Sequence, residues 1–82
     1  MRIGQVVGSI WATRKHPALG GQALLQVRVA GDTFIALDYC GAGVGETVLL
    51  TLGSSAGLDR SYPVDAAIVA ILDMTEGADV SQ

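Results

Sequence analysis

Eighty-two residues are enough for one small domain, and half of them are hydrophobic. The net charge is −3 and the five basic residues are scattered, so no basic stripe predicts a nucleic-acid surface. No apolar run reaches the roughly 20 residues of a membrane-spanning helix, and one cysteine, Cys40, excludes an internal disulfide. The mean hydropathy of +0.46 is high for so small a core, which predicts that another chain covers part of the apolar surface.

The first predicted element is a strand with alternating side chains, IGQVVGSIWAT. One small or apolar face is expected to hold Gly4, Val6, Gly8, Ile10 and Ala12, and the other, mixed face is expected to hold Ile3, Gln5, Val7, Ser9, Trp11 and Thr13. Two glycines on an inner face allow sharp coiling and close approach of backbones, as small closed barrels require. The next segment, RKHPALGGQ, contains a proline and a Gly-Gly pair and predicts a loop.

Three further strands follow, joined by short turns. They are ALLQVRV, TFIALD and ETVLLTL, with a hairpin turn at Gly31-Asp32 and a second turn at GAGVG. The segment GSSAG can open one helical turn, because a hydroxyl of Ser54 or Ser55 can accept a free backbone amide there.

The last apolar segment, DAAIVAILD, does not alternate, so periodicity alone fits either a buried strand or a helix. Its neighbouring β-branched residues favour a strand over Ile68 to Ile71. A strand that is apolar on both faces needs cover on both, which the barrel interior and a neighbouring subunit would supply. The predicted fold is mainly all-β, a small five-stranded OB-like β-barrel with one short helical turn before the last strand. It occupies residues 1–74, and residues 75–82 form a polar tail.

The glycine-rich stretch of Gly41, Gly43 and Gly45 raises the question of a nucleotide site. Its spacing is G-x-G-x-G, whereas a dinucleotide fingerprint needs G-x-G-x-x-G, and Glu46 stands where the last glycine belongs. A phosphate loop also needs a helix whose N-terminus faces the phosphate, and here a strand follows. These glycines therefore predict a tight strand connection that needs positive φ and space.

No other group of residues predicts catalysis or a cofactor. His16 is the only histidine, and neither a second histidine nor a cysteine pair completes a zinc site. The carboxylates at strand ends lack a nucleophile or metal partner, and no G-x-S-x-G elbow surrounds the serines. Trp11 and Tyr39 lack basic neighbours for stacking nucleic-acid bases, so packing in the core or an interface is favoured. We expect no catalytic residue, no metal and no cofactor.

Three segments together resemble the EutN/CcmL family, the pentameric vertex proteins of bacterial microcompartment shells. They are IGQVVGSIWATRKHPALGGQALLQV, ALDYCGAGVGETVLLTLGSSA and PVDAAIVAILD, and the resemblance runs from Met1 to about Asp73. It implies an OB-like barrel that assembles as a homopentamer, or a ring of another size, and is a structural protein of carboxysome or metabolosome shells in the bacterial cytoplasm. Its implied partners are copies of itself and hexameric shell proteins, without nucleic acid or membrane.

The resemblance also implies which residues make contacts. The T-x-K and GSSA segments would lie near the hexameric shell proteins, which identifies Thr13, Lys15, Gly53, Ser54, Ser55 and Ala56. The subunit interface or ring axis is expected to involve Gly41, Gly43, Gly45, Ile68 and Ile71. The alternative to a shell protein is an OB-like module that binds a small ligand or single-stranded nucleic acid, which the fold permits and the acidic balance opposes.

Overall fold

The computed structural model describes residues 1–11, 14–53, 56 and 65–73. Five strands account for most of these residues, and one short 3₁₀-helix lies in the segment for which the sequence predicts a loop. The strands are β1 (Arg2–Ile10), β2 (Ala23–Val29), β3 (Asp32–Asp38), β4 (Thr47–Leu52) and β5 (Ala66–Leu72), and the 3₁₀-helix is Pro17–Leu19.

The strands close into a barrel in the order β1-β2-β3-β5-β4. Neighbouring strands are antiparallel except for β3 and β5, which pair in parallel through Leu37 with Ala67 and Asp38 with Ile68. The predicted five-stranded OB-like barrel is therefore confirmed, and so is the strand prediction for the last apolar segment. A closed barrel leaves few free strand edges, which favours a soluble sheet of so few residues.

Two apolar clusters lie on opposite faces of the sheet. Inside the barrel, Val6, Val27, Leu50 and Ile68 are at most 1% exposed and belong to the main core. A second cluster contains Leu37, Ala56 and Ala67, which are buried on the outer side. Alternation along the strand explains this arrangement, because Ala36 packs in the main core while Leu37, the next residue, points the other way.

The two glycines of β1 do not share a face, contrary to the alternation expected from the sequence. Val6 pairs with Val27 and Gly8 pairs with Gln26, so Val7 is an extra residue that forms a β-bulge. A Cβ at Gly4 would lie 2.7 Å from Cγ1 of Val27, inside the barrel, whereas a Cβ at Gly8 would lie 2.6 Å from Oε1 of Gln26. One inserted residue therefore reverses the side on which every later side chain of β1 lies.

The short connections follow the predicted turn chemistry with small shifts. The hairpin between β2 and β3 turns at Ala30 and Gly31, with φ values of 50° and 92°, and Asp32 already belongs to β3. Positive φ at both central residues is the geometry that matches the twist of a two-residue hairpin. The helical turn predicted at GSSAG rests on Ser54 and Ser55, which lie outside the described residues, as does the predicted tail 75–82.

Candidate contact surfaces

The connection between β3 and β4 is held by a buried carboxylate. Asp38, which is 7% exposed, accepts hydrogen bonds from the backbone N–H groups of Cys40 at 3.0 Å and Ala42 at 2.8 Å. Charge-assisted hydrogen bonds of this kind are among the stronger ones in proteins. Asp38 therefore fixes the first half of the glycine-rich segment to the end of β3.

The second half of the same connection is bound to β1. The carboxylate of Glu46 accepts a hydrogen bond from the N–H of Gly43 at 2.7 Å. The N–H of Gly45 donates to the carbonyl of Val6 at 2.8 Å, and the N–H of Val6 donates to the carbonyl of Glu46 at 3.0 Å. Backbone groups that would cradle a phosphate in a nucleotide loop are thus used within the protein, and the carboxylate of Glu46 would repel an anion there.

Two of the three glycines in this connection serve a backbone conformation. Gly41 and Gly45 have φ values of 75° and 96°, which side chains of L-residues rarely adopt, whereas Gly43 has ordinary φ. All three are exposed. The geometry agrees with the structural interpretation of the glycines, and their expected place at the ring axis remains a prediction.

Cys40, in the same connection, is a poor nucleophile. Its thiol is exposed at the surface and lies 3.9 Å from the carbonyl oxygen of Ile68. Partial burial, and secondly the negative charge of Asp38, raise the pKa of the Cys40 thiol above its ordinary value. The thiolate is the reactive form of cysteine, so the thiol is held in its less reactive form at neutral pH.

A cleft of about 310 Å³ lies between the end of β1 and the start of β2. Trp11 lines the cleft and is 92% exposed, and the polar part of the lining consists of Ser9, Lys15 and Gln22. The ammonium of Lys15 donates a hydrogen bond to the carbonyl oxygen of Gln22 at 2.6 Å. This bond holds the loop that follows β1 against the start of β2.

The side chain of Gln22 contributes an unusual polar atom to this cleft. Its Oε1 is buried and accepts no hydrogen bond from the part of the chain that the structure describes. A buried acceptor without a donor costs about 1–3 kcal/mol. The cleft therefore combines an exposed indole, which is common at protein contact surfaces, with a buried oxygen that has no donor among the described residues.

The sequence-predicted contact residues are distributed unevenly. Lys15 lines the cleft, and Gly53 is exposed with φ at 77°. Ala56 is 0% exposed and packs in the second cluster, so its side chain offers no surface to a shell protein. Its carbonyl accepts a hydrogen bond from the hydroxyl of Tyr39 at 3.3 Å. Thr13, Ser54 and Ser55 lie outside the described residues.

The two isoleucines predicted for the subunit interface differ in position. Ile68 is 0% exposed in the barrel core, which leaves no part of its side chain for a neighbouring subunit. Ile71 is 40% exposed and stays a candidate. His16, the only histidine of the sequence, is exposed, and its Nδ1 accepts a hydrogen bond from the N–H of Ala18 at 3.0 Å.

An apolar row on the outer face of the barrel was missed by the sequence reasoning. Ile3 pairs with Leu49, and Leu49 pairs with Ala70, so the three side chains lie side by side across β1, β4 and β5. Ile3 is 51% exposed, and the other two are partly buried. The alternation of β1 placed Ile3 on a mixed outer face, but only the strand order brings Leu49 and Ala70 beside it.

Neither a metal site nor a membrane span was found in the described residues. Among residues 1–11, 14–53, 56 and 65–73, no three metal-ligating side chains of histidine, cysteine, aspartate or glutamate come together. In the same part of the chain, no helix has the length and apolar character to cross a bilayer.

Comparisons with known proteins agree on one family. The model of the family described as ethanolamine utilisation protein EutN/carboxysome matches residues 1–73. The microcompartment shell vertex protein GrpN of Rhodospirillum rubrum is 40% identical over 87 residues, covering 93% of this chain and 97% of that protein. The carboxysome shell vertex protein CcmL of Synechococcus elongatus is 42% identical over 83 residues, and the match covers 89% of this chain and 84% of CcmL. The solved structure of the pentameric shell protein GrpN from Rhodospirillum rubrum superposes with a TM-score of 0.78 at 36% identity, covering 89% of this chain and 94% of that one.

Proposed function

The chain belongs to the EutN/CcmL family, and on that premise we propose that it forms a homopentamer that caps the vertices of a bacterial microcompartment shell. The observation that supports this best is the likeness to a pentameric shell protein over nearly the full length of both chains. The same comparisons give no support to an OB-like module for ligands or single-stranded nucleic acid.

Ring geometry gives this function a physical basis. A flat sheet of hexagonal tiles closes into a polyhedron only where five-fold positions interrupt it. A closed ring is built from a heterologous contact, in which each subunit presents two different patches to its two neighbours. The half-apolar composition and the exposed apolar side chains of the described residues supply material for such contacts.

The proposed role is structural and not enzymatic. The conspicuous polar residues of the glycine-rich connection, Asp38 and Glu46, are occupied by backbone N–H groups of their own loop. Cys40 has a raised pKa and no activating base in that network. Relatives of this chain are named as shell vertex proteins, which supports a place in a shell within the bacterial cytoplasm.

We further propose that the Trp11 cleft contacts the neighbouring hexameric shell proteins. It would do so together with three residues that the family resemblance assigns to the same contact, Thr13, Ser54 and Ser55. Lys15 supplies a cation there, and Trp11 supplies exposed aromatic area. Aromatic anchors beside a polar rim are the usual composition of a protein contact surface.

Native mass spectrometry of the purified chain tests the ring, and a pentamer is expected. Co-expression with hexameric shell proteins then tests incorporation for Lys15→Glu and, separately, for Trp11→Ser. Both variants should remain pentameric but be lost from closed shells, because five weakened contacts act together at one vertex.

Arg28→Glu is the matched control for Lys15→Glu. Arg28 is exposed on β2, between Gln5 and Thr33, and its reversal changes the net charge equally. Normal incorporation of the Lys15→Glu and Trp11→Ser pentamers would refute the cleft as a shell contact, and a wild-type chain that stays monomeric at micromolar concentration would refute the vertex function itself.

A further inference from the structure

The outer face of β1, β4 and β5 carries the apolar row of Ile3, Leu49 and Ala70, called the outer row below. The pairing of the strands places Ile3 opposite Leu49 and Leu49 opposite Ala70. Val48 and Leu50, on either side of Leu49, are both 0% exposed inside the barrel, so Leu49 points outward by alternation. Gly4, next to Ile3, is buried toward Val27, so Ile3 also points outward.

The outer row differs from the outer face on the other side of the barrel. There, Gln26 and Arg28 of β2 and Thr33 of β3 give a polar surface around a single exposed apolar side chain, Ile35. The outer row is instead continuous across three strands. Ile71, which follows Ala70 in β5, pairs with the buried Val48 and therefore lies on the opposite face of the strand, outside the row.

We infer that the outer row is one of the two patches of the ring contact and is covered by a second copy of this chain. The inference rests on the proposed pentamer, and it names the surface that the pentamer uses. A ring of identical subunits must bury one patch of each copy against a different patch of the next. The apolar stretch around Leu37 and Ala67 on the outer side is already buried within the chain, whereas Ile3 in the outer row is half exposed and gains from burial. Its three residues come from strands fixed by the barrel closure, so the patch is rigid before assembly.

A second copy is favoured over the other candidates. A contact with a different shell protein is expected to have polar side chains at its rim. The Trp11 cleft has such side chains, and the outer row does not. The row carries no charged side chain, which is typical of the centre of a permanent homo-oligomeric interface. A relative that is 36% identical over 89% of this chain is a pentamer, so a subunit neighbour is the partner that every copy of such a chain has.

The experiment compares Ile3→Glu with Ile35→Glu by native mass spectrometry and sedimentation over a dilution series. The two isoleucines make a matched pair, because they are 51% and 47% exposed and both changes add one negative charge. Ile3→Glu should raise the protein concentration at which half of the rings dissociate by at least about tenfold per contact, because a charge is buried without a partner. Circular dichroism should show that both variants keep the folded barrel, because each side chain is half exposed in the single subunit.

A direct contact measurement makes the test independent of charge and of variant stability. A photo-crosslinking residue at position 3 should give covalently joined subunits on a denaturing gel. If Ile3→Glu does not fold, or if both glutamate variants dissociate, the crosslink decides. Rings of Ile3→Glu with wild-type stability, or no crosslink from position 3 in a pentamer, would overturn the inference and leave the proposed function standing. A monomeric wild-type chain would overturn both.

Discussion

The glycine-rich connection, residues 39–46, and the loop that follows β1, residues 14–22, use their polar groups in opposite ways. In the first, the carboxylates of Asp38 and Glu46 and the backbone of Val6 are all matched within the chain. In the second, a buried oxygen of Gln22 has no donor among the described residues, and the neighbouring Trp11 is almost fully exposed. The comparison teaches that the glycine-rich connection, although it resembles a ligand site, stabilises the fold. The loop of residues 14–22 has a buried oxygen without a donor among the described residues and lies next to an exposed indole.

The largest change in stability is expected when the hydrogen bonds to Asp38 in the glycine-rich connection are removed. Asp38→Ala removes the acceptor of two backbone N–H groups and should lower the free energy of unfolding by about 2–3 kcal/mol. Thermal unfolding at fixed protein concentration should show a Tm lower by about 10–20 °C for a domain of this size. Asp38→Asn keeps one acceptor oxygen and should lose less. Equal and small losses for both variants would show that the carboxylate does not hold the connection.

A smaller loss of stability is expected at a glycine with positive φ, and a glycine with ordinary φ in the same segment should show almost none. Gly45→Ala places a Cβ at a φ of 96° and should cost about 1–2 kcal/mol. Gly43→Ala is the matched control. Its φ is ordinary and its Cβ would lie 3.7 Å from Oε1 of Glu46, so its effect should stay within about 0.5 kcal/mol. Urea unfolding of both variants measures the difference, and a Gly43→Ala loss as large as that of Gly45→Ala would contradict the conformational explanation.

The smallest change, a gain in stability, is expected at Gln22, whose buried side-chain oxygen has no donor among the described residues. Gln22→Met removes the unpaired oxygen and keeps the backbone carbonyl that Lys15 uses, so the isolated protein should gain about 1 kcal/mol. Its Tm should rise by about 4–8 °C.

Gln5→Met is the control for Gln22→Met. Gln5 is exposed and donates a hydrogen bond to the carbonyl of Gly45 at 3.4 Å, so this change should bring no gain. A fall in Tm for Gln22→Met would show that its side-chain oxygen finds a donor in the isolated protein.

Much of the fold could be predicted from the sequence, because its signals are local. Period-two alternation identified β1, apolar runs bounded by turn residues identified β2, β3 and β4, and β-branched residues identified β5. The bulge at Val7 could not be predicted, because an inserted residue is visible only in the pairing with β2. Its consequence was that Gly8 was assigned to the wrong face.

The contact surfaces were less predictable than the fold. Lys15 was identified through the family resemblance, and the structure adds Trp11 and Gln22 as its neighbours in the cleft. Ile68 was an interface candidate because its strand is apolar on both faces. Its side chain lies on the face of β5 that points into the barrel, so it is buried within the subunit. The outer row joins residues 3, 49 and 70, which no local pattern connects.

By itself the sequence determined the class of the protein: a small, mainly β domain with glycines at its turns. Those properties follow from side-chain chemistry and short-range backbone preference, which act over a few residues. The tertiary structure decided which apolar side chains are core and which are surface. It brought Ile3, Leu49 and Ala70 into one row and left Oε1 of Gln22 without a donor. Burial depends on strand order, register and bulges, and these arise only when segments far apart in the chain pair with one another.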